Sequence, residues 1–146
     1  MKNFVLISLL AVIFTACVDP NIGAANRTTA ELLVRHGWQL DKFTDTQGVT
    51  INDGRISSSA KALYGMAFEF RANSEVRGIA KTTKTVINRG EWIINGKTLD
   101  IDIVGFKGDF EVVHINNTSM ILRAQTDDSS LGVGSDVHLV FSEFNL

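Results

Sequence analysis

A chain of 146 residues with 45% hydrophobic side chains suits a single globular domain, long enough to bury about two-thirds of its unfolded surface. Fourteen Lys and Arg against sixteen Asp and Glu leave a formal charge of −2 and no basic stripe, which argues against nucleic acid as a partner. One cysteine excludes an internal disulfide, so the fold must rest on its apolar core.

After Met1-Lys2-Asn3 the chain is apolar from Phe4 to Ala16, interrupted only by Ser8 and Thr15. A basic start, a short greasy stretch and small residues before a cut are the layout of an export signal, here residues 1–16. The stretch is shorter than the roughly 20 residues that a membrane-spanning helix needs. Thr15-Ala16-Cys17 resembles a bacterial lipobox, with Phe14 where an aliphatic residue is usual, as lipoproteins of the Bacteroidota allow. That resemblance implies acylation of Cys17, which then serves as an anchor rather than a nucleophile. It also implies export to the cell envelope and attachment to the outer membrane. Several acyl chains hold a protein firmly, because each buried methylene contributes about 0.8 kcal/mol. The other reading is an ordinary secreted protein cut nearby, with Cys17 lost or left as a free thiol. Residues 17–27, with the only proline, read as a flexible tether.

The domain proper spans residues 28–146. Thr28-Thr29-Ala30-Glu31 is a capping box, which predicts a short helix over about 29–36 with Gly37 ending it. A first strand follows at Trp38–Phe43. Turn formers fill residues 44–56, with a further strand placed near Val49, Thr50 and Ile51. Ser57 to Tyr64 reads as a short helix or a lid across one end of a barrel. From Met66 the period becomes two: Met66, Phe68 and Phe70 share one face, Glu69 and Arg71 the other. A more polar strand covers residues 75–85, and the next runs from Arg89 to Ile94. Asn95-Gly96 is a strong hairpin signal, after which Leu99, Ile101 and Ile103 alternate with Asp100 and Asp102. Strands at 109–115 and 119–126, a loop over Asp127–Ser135 and a last strand at 136–144 complete the chain. The expectation is an all-β, antiparallel up-and-down barrel of about seven to eight strands, because closure removes exposed edges.

The order of motifs resembles the lipocalin-like domains of small Bacteroidota lipoproteins over about Glu31 to Leu146. Gly37-Trp38-x-Leu40, Phe68-x-Phe70, Gly90-x-Trp92 and Asn95-Gly96-Lys97-Thr98-Leu99-x-Ile101 carry the likeness, with Phe110-Glu111-Val112-Val113 leading into Asn117–Leu122. The resemblance implies a small barrel without catalytic residues. Two departures stand out: lipocalins carry Gly-x-Trp on the first strand, and a late arginine packs over that tryptophan. Here Gly37 directly precedes Trp38, the last strand has no arginine, and Arg123 is the one substitute at hand.

Trp38, Phe68, Phe70, Trp92, Ile101, Phe110, Leu122 and Phe141 are the candidate pocket or core. They either line an apolar ligand site in the barrel mouth or fill the interior. The expected role is non-catalytic binding of a small, partly apolar ligand, with residues 57–64 or 127–135 as lid. The alternative is a structural or protein-interaction module with a filled core. Neither needs a cofactor or a metal. Asp100, Asp102 and Asp109 read as a solvated face rather than a calcium site. His36, His114 and His138 are too scattered in sequence to suggest zinc. Ser57-Ser58-Ser59 lacks a nucleophile elbow, Gly132-Val133-Gly134 lacks the setting of a phosphate loop, and Lys81-Thr82-Thr83-Lys84 reads as a solvated stretch.

Overall fold

The computed structural model describes residues 29–124 and 137–146. Cys17, the signal and tether segments and the Asp127–Ser135 loop lie outside the described residues. A short helix, α1 (residues 29–33), leads into β1 (Gly37–Thr44). After a single 3-10 turn at Asp53–Arg55 comes α2 (Ser58–Ala62), extended by a second such turn at Leu63–Gly65. Seven strands follow: β2 (Met66–Phe70), β3 (Glu75–Ala80), β4 (Val86–Asn95), β5 (Thr98–Ile103), β6 (Phe106–Ile115), β7 (Ser119–Ala124) and β8 (His138–Phe144).

Each strand pairs antiparallel with its sequence neighbour, and β8 returns to pair with β1, which closes the barrel. The expected up-and-down architecture is therefore present. Several boundaries differ from the sequence reading. The first helix stops at residue 33 and unwinds through a turn into β1. Residues 49–51 add no strand, since only Thr50 bridges back to Thr44. The third strand ends at Ala80, where Lys84 takes a positive φ of 54° and reverses the chain. The sixth begins at Phe106, because Gly105 (φ 82°) alone suffices to turn the hairpin.

Inward positions carry Trp38, Leu40 and Phe43 on β1, then Phe68 and Phe70 on β2, and the pattern repeats around the ring. Large and small residues alternate across it: Phe68 faces Gly78, Ile101 faces Gly108 and Phe110 faces Ala124. This alternation lets rings from one strand occupy the space that the next leaves empty. Gly90 has a different reason. A Cβ there would lie 2.0 Å from the Asp102 carbonyl oxygen, so β4 and β5 can approach closely only with glycine. Bulges add a residue at Asp41, Ile87 and Val113 and shift the phase of their strands.

The two ends differ. At the base, α1 buries Leu33, and the Trp38 indole N–H donates to the Leu33 carbonyl at 2.9 Å. At the mouth, the connection between β1 and β2 folds over the opening. Ile56, Ala60 and Leu63 enter the core from it, and Tyr64 stands edge-on to Phe43 with centroids 5.8 Å apart. Outside the barrel, Ala67 and Ile79 are also buried, and at the C-terminal tail Lys84 Nζ sits over the Phe144 ring and donates to the Asn145 carbonyl at 2.7 Å.

Candidate functional site

The eight candidate residues all face inward. Trp38, Ile101, Phe110 and Leu122 are 0% exposed, Phe68, Phe70 and Phe141 1%, and Trp92 7%. All but Trp92 have almost no surface accessible to water, so they pack against one another or their neighbours.

The structure brings them together in two groups. In the first, Phe106 joins Phe68, Phe110 and Phe141, with ring centroids at 4.8, 4.9 and 6.3 Å, and Phe68 also lies 6.3 Å from Phe141. Those separations fall in the range of direct aromatic contact, in tilted and edge-on arrangements that favour ring packing. In the second, Phe70 and Trp92 meet edge to face at 5.7 Å near the base. The Trp92 indole N–H donates to the Arg71 carbonyl at 3.0 Å, so this ring is held by a hydrogen bond as well as by contact. Leu122 lies between Val112 and Leu139, and Ile101 sits beside Trp92 in the pairing of β4 with β5.

Phe106 was not among the sequence candidates, although it links three of the other rings. Its signal was present: Phe106, Gly108, Phe110 and Val112 fall on one face at period two. The glycines at 105 and 108 disguised it as a turn.

The remaining polar candidates stay apart. Asp100 directly faces Asp109 and both are exposed, while Asp102 faces Lys107 and pairs with it at 2.8 Å. Among the described residues no group of three or more His, Cys, Asp or Glu is placed to hold a metal. His36 lies edge-on to Trp38 at the base, His114 meets Asn116 near the β6–β7 turn, and His138 starts β8 at the opposite end. Ser57 caps α2, its hydroxyl accepting from the Ala60 N–H at 3.1 Å. Arg123 does not cover Trp38. It points outward from β7 into an ion pair with Glu111, in register with His138 near the mouth, whereas Trp38 is in register with Glu143 at the base. The tryptophan is held from the α1 side instead.

On the outer face of β2, β3 and β4, Glu75 collects three guanidiniums. Arg77 Nε approaches it at 3.0 Å, Arg71 at 3.6 Å, and Arg89 also donates to it. Hydrogen bonds from Arg77, and then from Arg89, hold its carboxyl well below the usual range, at about 2.

Neither a known protein-family profile nor a curated protein matches the chain. Similar solved structures come from Bacteroides. A DUF4847 family protein from Bacteroides vulgatus has a TM-score of 0.51 at 12% identity, over 81% of this chain and 99% of that one. A lipocalin-like protein from Bacteroides uniformis gives 0.49 at 13%, over 77% and 99%. An uncharacterized protein from Bacteroides eggerthii gives 0.48 at 9%, over 75% and 98%. Eight antiparallel strands in sequence order, closed first to last, are the lipocalin arrangement. The fold is lipocalin-like. In this lipocalin-like barrel, aromatic rings occupy the centre.

Proposed function

We propose that the protein is a non-catalytic module of the cell envelope, tethered through acylated Cys17, that works through the outer surface of its barrel. The observation that supports this reading is the central packing of Phe68, Phe106, Phe110 and Phe141, each no more than 1% exposed. An eight-stranded barrel has an interior just wide enough for side chains, and these rings take it up. Binding by such a protein falls to its exterior, where a partner meets side chains rather than backbone, since a closed barrel offers no strand edge.

The test is native mass spectrometry of the full chain purified from its host membrane in detergent, together with titration by a fluorescent fatty acid. The expected result is an acylated N-terminus at Cys17, no co-purifying small molecule and no saturable uptake of the probe. Stoichiometric uptake by the wild-type protein would overturn the filled-barrel reading, and an unmodified chain starting elsewhere would overturn the anchor.

One observation favours the other reading, capture of a small, partly apolar ligand. The segment from Ile56 to Leu63 is a separate piece laid over the mouth, and its outward swing would bare Phe43 and the rings beneath it. The same titration distinguishes the two.

A further inference from the structure

The outer face of β4 is unusual for a solvated strand. Of the seven large apolar residues that are exposed among the described residues, Val86, Ile87 and Ile93 lie on it. Scattered exposed apolar residues need no explanation, but grouping on one strand does.

The charges on this face have their own irregularity. Glu91 stands directly between Glu75 of β3 and Asp102 of β5, three carboxylates in one cross-strand row. Asp102 has Lys107 and Glu75 has its arginines, whereas Glu91 enters no ion pair among the described residues. Like charges directly opposite one another weaken a sheet, so the row lacks a cation at its centre. Two residues earlier, Arg89 is 57% exposed at its side chain, faces Arg77 across the strands and, among the described residues, pairs with Glu75 alone, which leaves most of its donors to solvent.

Outward from Gly90, the face is Arg89 then Ile87 in one direction, and Glu91 then Ile93 in the other. The apolar pattern is symmetric about Gly90 and the charge pattern is antisymmetric. That is the requirement of a two-fold contact, in which residue i of one copy meets residue j of the other and j meets i. We propose that β4 is a self-association surface whose partner is a second copy of this chain. The axis runs between the two barrels, perpendicular to β4 and level with Gly90. Ile87 then meets Ile93 of the second copy, and Arg89 supplies the cation that Glu91 of the second copy lacks. Both contacts occur twice. Because only one strand and its flanks take part, the interface belongs to the small, reversible class.

This rests on the reading that the exterior does the binding, and its failure is separable from that of the filled barrel. The experiment is sedimentation velocity of the full chain in detergent at tens of micromolar, with the protein mass resolved from the micelle. The wild type is expected at twice the chain mass. Glu91→Arg places a cation between Glu75 and Asp102, so it leaves the barrel folded but sets two guanidiniums against each other across the axis; its mass halves. Arg89→Glu sets two acids together and also yields a monomer. Mixing the two variants pairs every acid with a base and restores the doubled mass, as does the double exchange in one chain. A monomeric wild type, a Glu91→Arg variant that remains a dimer, or a mixture that stays monomeric overturns the proposal. The fatty-acid titration is unaffected by any of these outcomes.

Discussion

Trp38 and Leu33 fasten the base of the barrel to α1 through one hydrogen bond, indole N–H to carbonyl, at 2.9 Å, with both residues fully buried. The bond satisfies a carbonyl in the last turn of the helix, where no intrahelical partner remains. Trp38→Phe removes the donor and leaves the Leu33 carbonyl buried without a partner. The expected cost is about 1–3 kcal/mol, read as a lower urea midpoint at unchanged slope.

Phe106 is the ring through which the central aromatic cluster is joined. Phe106→Ala removes those contacts and leaves a void lined by Phe68, Phe110 and Phe141. Destabilisation of about 3–5 kcal/mol is expected by denaturant titration. The void is apolar, so it should take up benzene or xenon, which the wild-type barrel should not. Equal uptake by both proteins would mean that the interior is already hollow.

Gly90→Ala tests the close approach of β4 and β5. The added methyl lies 2.0 Å from backbone, not from the end of a flexible side chain, so the strands themselves must separate. Overpacking costs about 1–3 kcal/mol where a side chain can yield, and this variant should fall at or above that range by thermal unfolding. Gly65→Ala, with open space at its Cβ, is the matched control and should be near neutral.

Glu75 gives a pH dependence of known sign. Its folded value of about 2 lies below the ordinary 4.5, because Arg77 and Arg89 favour the carboxylate. A depressed value stabilises the fold above the unfolded value, and that contribution is lost as pH falls from about 4.5 to about 2. Glu75→Gln should therefore show a shallower loss of stability over that window than the wild type. Added salt should reduce the difference, since the network is partly exposed.

Where one face of a strand is oily and the other polar, the sequence is readable directly. Leu99, Ile101 and Ile103 face inward as their alternation predicts, and Asn95-Gly96 turns the hairpin that precedes them. The barrel and the burial of all eight candidates follow from such local patterns. Three things do not. Bulges at Asp41, Ile87 and Val113 interrupt the alternation by geometry that no local composition marks. Ala67 and Ile79 face outward, opposite one another across β2 and β3, yet are buried, which a half-buried alternating pattern does not predict. Phe106 was hidden by flanking glycines, one of which turns the chain while the other makes room for Ile101. The filled or hollow state of the interior is a property of the assembled rings and was open at the level of sequence.

Seven of the eight ladders join neighbouring stretches of chain and can form as soon as each hairpin is made. The eighth, in which Gly37 meets Phe144, cannot form until synthesis has reached the last residues. Pairing across that distance carries the largest loop-closure cost of the eight. The sheet is therefore an open, unlatched ribbon until β8 is in place, and its closure into a ring depends on that one seven-residue strand.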